Sequence, residues 1–309
     1  MTREVLAVTQ LWDVGATGLV HLRTADNSSW RVELGGRKWV LRLTSDAHRT
    51  PDQLEAELDF VEHLAAGGIQ VARPLPARTG ERVVDASRLV SGAGRTYATL
   101  FEHLEGRHFE YNSADIDAPL FRAWGETMAR LHHLSGSFEH RRGFRRPDWS
   151  EDPVAGCHVG RVVLEREILA LREDLVGWLG SLQPDPIHYG MVHGDFERTN
   201  FLLDDGSIRL FDFDDCCRHW FVWDIACALW VFRNAPPEDR ALFLRWFLEG
   251  YSAIREPDAE RLRRFSELIR LRTIALLLHR LGNPTRFTNI ADRDWIDRTR
   301  TWLRSPWSW

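Results

Sequence analysis

Residues 191–215 read MVHGDFERTNFLLDDGSIRLFDFDD, and this stretch decides how the rest of the chain is interpreted. Two short apolar segments flank the polar turn DDG, a pattern that predicts a β-hairpin. Asp195 lies in a loop that precedes the hairpin, and Asn200 comes five residues after Asp195. Asp212 comes twelve residues after Asn200, at the end of the second strand. We therefore expect Asn200 and Asp212 to lie near each other across a short turn, where both can face one metal ion.

Two carboxylates and an amide at this spacing suit phosphoryl transfer. Asn200 and Asp212 offer the oxygen ligands that Mg²⁺ prefers when it is bound to the phosphates of ATP. Asp195 is placed to orient an acceptor hydroxyl and to accept its proton. A turn-rich hairpin with solvated carboxylates is the alternative, but it does not require these side chains to match in both spacing and strand context. The stretch predicts Asp195 as the catalytic residue, and Asn200 and Asp212 as the magnesium ligands.

The same residues carry a resemblance to a known superfamily. The segment HGD at 193–195, together with Asn200, resembles the catalytic loop of aminoglycoside phosphotransferases and choline kinases. The segment DFD at 212–214 resembles their metal-binding segment. The longer segments FDFDDC at 211–216 and WDIA at 223–226 are similar to the branch that contains homoserine kinase-like and bacterial stress-response kinases. This resemblance implies an α+β, protein kinase-like fold of two lobes.

The rest of the chain divides into a strand-rich first part and a helix-rich second part. Before residue 102, apolar runs between turn signals predict strands, and one helix is expected to begin at Thr50 and to end before Gly67. From residue 118 onward, apolar residues recur at helical spacing. We expect three segments: a nucleotide-binding lobe over 1–101 with a five-stranded, mostly antiparallel sheet and one helix, a hinge over 102–106, and a mainly helical catalytic and acceptor-binding lobe over 107–309.

The resemblance assigns two charged residues of the first lobe to the nucleotide site. Arg42 matches the strand position where many kinases carry a lysine against the nucleotide phosphates, and Glu57 matches the helix glutamate that pairs with it. Arginine departs from that pattern, but its guanidinium keeps the charge and presents a fork of donors. The chain's single lysine, Lys38, lies nearer a turn and is interpreted as a solvated strand end. An ordinary surface ion pair between Arg42 and Glu57 is the alternative.

Two further segments correspond to nucleotide contacts in the resembled kinases. Residues 100–107 resemble the hinge, where the backbone of Glu102 and Leu104 would pair with the adenine edge. Residues 23–29 correspond to the loop that covers the phosphates, and they contain no glycine. The contacts of this loop would have to come from polar residues: Asn27, Ser28 and Ser29. Of these, Ser28 is the predicted nucleotide contact.

The sequence does not name the acceptor, because acceptor pockets in the resembled superfamily are built from variable helices of the second lobe. Glu197 and Asp215 lie near the catalytic loop and would suit a cationic or polyhydroxyl acceptor. Trp149, in the loop RRPDW, is a further candidate for substrate contact. The expected partners are ATP and a small hydroxyl-bearing molecule, either a metabolite or an antibiotic.

Composition argues against several other classes of protein. A formal net charge of −5 does not favour binding to nucleic acid through its phosphates. The longest apolar run, 221–232, is interrupted by Asp224 and is too short to cross a membrane. The four cysteines form no disulfide framework, and the start of the chain lacks the apolar stretch of a secretory signal, so a cytoplasmic location is expected. Cys216, Cys217 and His219 lack a second ligand pair at zinc spacing and are interpreted as structural.

Two other functions stay open. The stress-response branch suggests a protein Ser/Thr kinase, although only eleven residues separate Asp212 from Asp224 and no activation segment of the eukaryotic kind fits between them. A non-catalytic nucleotide-binding regulatory module would account for the glycine-free loop and for Arg42. Such a module would not need Asp195, Asn200 and Asp212 together.

Overall fold

The computed structural model describes residues 2–12, 16–92, 94–110, 116–141, 143–152, 158, 162–284, 286–287 and 289–309. Cys157 lies outside them. Up to Glu102 the described chain is built around one sheet, and after it most of the chain is helical. The α+β fold class expected from the sequence is confirmed. No helix among the described residues is long and apolar enough to cross a membrane.

The first part of the chain contains these elements: α1 (Thr2–Thr9), β1 (Gly18–Thr24), β2 (Asn27–Leu34), β3 (Arg37–Ser45), α2 (Pro51–Ala66), β4 (Pro74–Leu75), β5 (Val84–Asp85) and β6 (Thr96–Glu102). Neighbouring strands are antiparallel in the order β1-β2-β3-β6-β4, and β5 also pairs with β6. The sheet has six strands instead of the expected five, because two short segments pair with different stretches of β6. An additional helix, α1, buries Val5 and Val8 together with Trp12 in the core beside this sheet.

Helix α2 begins where the sequence predicts. The Thr50 hydroxyl accepts a hydrogen bond from the Gln53 N–H at 3.3 Å, and the Gln53 side chain accepts one from the Thr50 N–H at 3.1 Å. This reciprocal cap, followed by Pro51 in the first turn, satisfies donors that a helix start leaves open. Gly67 ends the helix. The buried side of α2 carries Glu57 as well as apolar residues, so a charged side chain is buried there.

The second part of the chain contains these elements: α3 (Ala118–Ser135), α4 (Arg166–Ser181), β7 (Tyr189–Val192), β8 (Phe201–Asp204), β9 (Ser207–Leu210), β10 (Cys217–Trp220), α5 (Phe221–Leu229), α6 (Pro237–Ser252), α7 (Ala259–Leu262), α8 (Phe265–Gly282) and α9 (Ile290–Arg304). Strands β8 and β9 form the expected hairpin, in a register that runs from Phe201 opposite Leu210 to Asp204 opposite Ser207. Strand β7 pairs with β10. The loop that leads from β7 into the hairpin therefore starts beside the segment that follows the hairpin.

The core of the second part reaches directly beneath the hairpin. Helices α3 and α6 approach closely: a Cβ on Gly125 would come within 1.9 Å of the Phe247 carbonyl oxygen, so no larger residue fits there. Beside this contact, the Trp124 ring lies 5.0 Å from the ring of Phe201 on β8. Both rings are fully buried. Because close-packed side chains resist displacement, this contact fixes the position of the hairpin relative to helices α3 and α6.

Candidate active site

A cleft of about 540 Å³ lies between the sheet and the β8–β9 hairpin. Its walls include Arg42 and Phe101 from the sheet, and Asn200 and Asp212 from the hairpin. A smaller cavity of about 80 Å³ shares Asp212 with it, and four further aspartates are among the residues that line it: Asp26, Asp195, Asp214 and Asp215. The large cleft and the acidic small cavity therefore adjoin, and Asp212 lines both of them.

The catalytic loop joins β7 to β8 and holds Asp195 beside Asn200. The Asn200 amide donates to the Asp195 backbone oxygen and to its carboxylate Oδ2, both at 2.8 Å. Its amide nitrogen is thereby committed, and the amide oxygen of this buried residue is the atom that remains for a metal ion. The Asp195 side chain is 23% exposed, so it still reaches the cavity. Burial raises the pKa of Asp195 well above its usual range, although the Arg272 guanidinium opposes the shift.

Asp224, at the start of α5, anchors this loop from below. Its two carboxylate oxygens accept hydrogen bonds from the backbone N–H groups of His193 and Gly194, each at 2.8 Å. His132 lies 3.2 Å from the same carboxylate, and both side chains are fully buried. Burial alone would raise the pKa of Asp224, but its hydrogen bonds and the His132 ring hold it below the ordinary value. A buried carboxylate with this many partners fixes the backbone immediately before Asp195.

Gly194 has a backbone conformation that the loop requires. Its φ is +81°, and a Cβ there would lie 2.2 Å from the Asp215 carbonyl oxygen. Only glycine meets both conditions without strain. The close approach brings the catalytic loop against the segment that follows β9.

Asp212 follows β9 with a φ of +65° and faces both cavities. Its carboxylate makes no hydrogen bond or ion pair with the residues that the structure describes. Although the side chain is open to the cleft, desolvation by the surrounding protein, and then the neighbouring Asp214 carboxylate, raise the pKa of Asp212 to about 7. A carboxylate that makes no hydrogen bond or ion pair with the described residues, in an acidic cavity, is a suitable ligand for a divalent cation.

Two buried arginines hold the segment after Asp212 in place. Arg49 donates to the Asp214 carbonyl oxygen at 2.9 Å and to the Asp152 carboxylate at 3.0 Å. Arg146 donates to the Cys216 carbonyl oxygen at 2.7 Å and to the same Asp214 carbonyl. Guanidinium groups present several donors in a fixed plane, so each of them can satisfy backbone oxygens and carboxylates together.

On the sheet side, Arg42 and Glu57 form a buried bidentate pair. The two bonds, Nη1 to Oε1 and Nη2 to Oε2, measure 2.7 and 2.8 Å. Only 5% and 1% of these side chains are exposed, so the pair is not an ordinary surface contact. Burial alone would lower the pKa of Arg42, but the Glu57 carboxylate raises it above its ordinary value. Lys38, by contrast, is exposed and lies 3.3 Å from Glu105.

Comparison with known proteins is consistent with this geometry. Residues 19–257 match the phosphotransferase enzyme family APH. The chain belongs to this family. It is 29% identical over 273 residues to the amicoumacin kinase of Bacillus subtilis (strain 168), covering 84% of this chain and 79% of that protein. It is 28% identical over 283 residues to the homoserine kinase of Azorhizobium caulinodans, covering 87% and 82%.

The fold agrees with the family as well. The structure of the amicoumacin kinase hAmiN, solved in complex with AMP-PNP, Ca²⁺ and Ami, superposes with a TM-score of 0.86 over 97% of this chain and 91% of that one. Because the two sequences are only 23% identical, this similarity shows that the fold is shared and does not by itself assign a function. The resemblance that the catalytic loop and the metal-binding segment carry is therefore confirmed, and the protein is a kinase of this phosphotransferase family.

The polar residues after β1 take different positions in this phosphotransferase from those the sequence suggested. The loop expected over residues 23–29 is reduced to a turn of two residues, because β1 continues to Thr24 and β2 already begins at Asn27 and pairs with β3. Side chains alternate along a strand, so Ser29 lines the cleft, while Ser28 accepts a hydrogen bond from the Trp30 indole at 2.9 Å. Ser28 does not line either cavity, and Ser29 replaces it as the serine that faces the site.

The hinge candidates line the large cleft. Glu102, His103 and Leu104 form one end of its wall. The Glu102 N–H donates to the Arg73 carbonyl oxygen at 2.8 Å. On Glu102 the backbone carbonyl is therefore the better candidate for a contact with a ligand.

The three acceptor candidates are in different environments. Asp215 is 29% exposed and lines the small cavity. The Glu197 carboxylate accepts a hydrogen bond from the Thr199 hydroxyl at 2.7 Å and does not line either cavity. Trp149 is buried in the core, where its ring lies 5.5 Å from His219. The Trp149 N–H donates a hydrogen bond to the Arg218 carbonyl oxygen, so this polar loop lies against β10 and its tryptophan is not at the surface.

Several residues of the site had no assigned role in the sequence interpretation. Arg272, on α8, donates to the Asp195 carboxylate, and its Nε and Nη1 are buried without a partner among the described residues. Asp224 stands within the segment WDIA, which carried part of the resemblance, so its position gave a usable signal. Arg49 and Arg146 gave none, because they are distant in sequence from the segment they hold.

Proposed function

We propose that this protein transfers the γ-phosphoryl group of ATP, with Mg²⁺, to a hydroxyl of a small-molecule acceptor. The observation that carries the proposal is the convergence of Asp195, Asn200 and Asp212 at the junction of the two cavities, opposite Arg42. Within this scheme, residues 1–101 act as the nucleotide-binding lobe and residues 107–309 as the catalytic lobe. The adenine would lie against the segment 102–106.

The residues present fit a magnesium–nucleotide complex. The Asn200 amide oxygen and the Asp212 carboxylate would hold the ion, and neither group is committed to another described residue. When bound, magnesium neutralises charge on the phosphate oxygens and leaves several of its positions to phosphate and water. The unpartnered Asp212 carboxylate, with its pKa raised to about 7, supports this assignment.

Asp195 would act on the acceptor. Its carboxylate oxygens accept from Arg272 and Asn200, and each retains a lone pair for the acceptor hydroxyl. As the hydroxyl oxygen bonds to the γ-phosphorus and the bond to the ADP oxygen breaks, the hydroxyl proton passes to Asp195. The pKa of Asp195, raised by burial, makes the carboxylate a better base for this step near neutral pH.

The acceptor is proposed to be a small molecule. The relatives reported above are named for amicoumacin and homoserine, and their similarity extends over more than four-fifths of this chain. The small cavity is acidic, since Asp26, Asp195, Asp214 and Asp215 line it beside Asp212. An acceptor with a positive or polyhydroxyl group would suit this lining.

The test is an ATP-consumption screen with Mg²⁺ over amino acids, amino alcohols, sugars, nucleosides and aminoglycosides. We expect acceptor-dependent ADP release from the wild type with at least one class, and its loss in Asp195→Asn. If ATP binds but no acceptor supports turnover, the regulatory-module hypothesis replaces this one. Phosphate found on a protein substrate instead would favour the protein Ser/Thr kinase.

A further inference from the structure

We propose that Arg23, on β1, binds the terminal phosphates of the nucleotide and does the work that a glycine-rich loop performs in other kinases. This inference rests on the proposed function, because it concerns how ATP is held. Kinases generally cover the phosphates with backbone groups of a glycine-rich loop. Residues 23–29 contain no glycine, so another group must supply the positive potential there.

The backbone of β2 is not available for phosphate. Strand β2 pairs with β1 on one side and with β3 on the other: Ser29, for example, lies opposite Arg23 and opposite Arg42. Strands paired on both sides commit their N–H groups to the ladder. The β2 backbone therefore cannot supply the phosphate contact, and a side chain beside it is the better candidate.

A β-bulge turns Arg23 toward the site. The register of β1 on β2 shifts between His21 and Arg23, so that Leu22 is the extra residue. In a regular strand Leu22 and Arg23 would face opposite sides. Here both line the large cleft. Bulges re-aim side chains in this way, and they are frequent beside binding sites.

Among the described residues that line both cavities, Arg23 is the cation that is free to bind an anion. It lines the large cleft as well as the small cavity, together with Ser29 and Asp212. Its exposed guanidinium makes no hydrogen bond or ion pair with the described residues. Arg42, by contrast, already uses two donors on Glu57. A guanidinium can hold phosphate oxygens in a bidentate manner.

Arg31 provides a matched control within the same sheet. It lies on β2 and lines the large cleft, but it does not line the small cavity. If Arg23 binds the phosphates, its substitution should weaken the binding of ADP and ATP but not the binding of adenosine, which has no phosphate. A change at Arg31 should alter the affinities for adenosine, ADP and ATP by similar factors, or leave all three unchanged.

The experiment measures the binding of adenosine, ADP and ATP, with Mg²⁺, to the full chain by calorimetry. For Arg23→Gln we expect ATP and ADP affinities to fall on the order of tenfold or more, the usual value of a charge-assisted contact, with adenosine affinity unchanged. Arg23→Lys should be intermediate, since it keeps the charge and loses the fork. Thermal unfolding checks that each variant is folded, and the exposure of Arg23 favours this.

Three results would overturn the inference. Wild-type ATP affinity in Arg23→Gln would refute the role of Arg23 and leave the proposed kinase function intact. An equal loss for adenosine and ATP would show that the variant disturbs the hairpin instead of a phosphate contact. If the wild type bound no adenine nucleotide at all, the proposed function would fail first, and this inference with it.

Discussion

The catalytic loop and the β1–β2 turn face each other across the small cavity, but they are held in different ways. The catalytic loop is anchored by Asp224 and His132, both with no exposed side-chain surface. The turn is held to the second part of the chain by Asp26, which lies 2.6 Å from Arg286 and 3.6 Å from His279. These three side chains are 23–32% exposed.

The two regions therefore differ in how much it costs to displace them. Removing one partner of a buried, hydrogen-bonded charge leaves the other partner uncompensated, at a cost of about 3–5 kcal/mol. A partly exposed ion pair contributes about 0–1 kcal/mol and weakens with salt. The position of Asp195 is therefore preset, while the contacts of Asp26 that hold the β1–β2 turn to the second part of the chain cost little to break.

The largest effect on stability is expected for Asp224→Ala. The change leaves the His193 and Gly194 N–H groups without an acceptor in a buried place, so the free energy of unfolding should fall by about 3 kcal/mol or more. Turnover should fall as well, because Asp195 follows directly. Denaturant unfolding and steady-state rates measure both. An unchanged unfolding midpoint would show that the loop does not depend on this anchor.

A smaller effect on folding, but a clear one on ligand binding, is expected for Asp212→Asn. Asp212 makes no contact that the fold needs, and its raised pKa means that the ionised carboxylate is disfavoured in the folded protein, so its loss should leave the unfolding midpoint unchanged or raise it. The affinity for magnesium–ATP should fall on the order of tenfold or more, because a charged metal ligand is removed. Calorimetry with ATP, with and without Mg²⁺, measures the change. Equal losses with and without the metal would argue against a metal ligand here.

The pH dependence of nucleotide binding provides a third test. The pKa of Asp212 is raised to about 7 in the free protein, so this carboxyl takes up a proton as the pH falls below 7. Only the ionised form binds a metal ion, so the affinity for magnesium–ATP should fall by up to about tenfold per pH unit below 7 and level off above it. This dependence should disappear in Asp212→Asn. A flat profile in the wild type between pH 5.5 and 8 would contradict it.

The smallest effect is expected for Asp26→Asn, which weakens the contact between the β1–β2 turn and Arg286. The free energy of unfolding should change by less than about 1 kcal/mol, because the pair is partly exposed. Nucleotide dissociation should be faster by a few-fold, and stopped-flow release of a fluorescent ATP analogue measures it. Arg286→Gln should behave similarly. A loss of stability as large as that of Asp224→Ala would remove the contrast between the two regions.

The same contrast explains what the sequence could predict. Asp195, Asn200 and Asp212 lie within 18 residues of one another, around a hairpin whose turn and apolar strands are local signals. Their proximity follows from short-range rules. Arg42 and Glu57 came from the resemblance, and the structure brings them together at 2.7 Å.

The rest depended on tertiary contacts. Arg146 lies 70 residues from the Cys216 carbonyl that it holds, and Arg272 lies 77 from Asp195, so no spacing rule connects them. The prediction of Ser28 assumes that residues 23–29 form a loop, yet β2 begins at Asn27 and pairs with β3 through this segment. A shift of one residue in a strand exchanges the two faces, which is why Ser29 and not Ser28 faces the cleft.

The central claim is that Asp195 acts on the acceptor and not on ATP, and the most direct test compares binding with turnover in Asp195→Asn. Calorimetry with magnesium–ATP and a steady-state assay on an acceptor identified by the screen are run on the same preparation. We predict nearly unchanged ATP affinity and a fall in turnover on the order of 10²–10⁴, the usual contribution of a positioned acid–base group. Full turnover in Asp195→Asn would contradict the assignment of the catalytic residue.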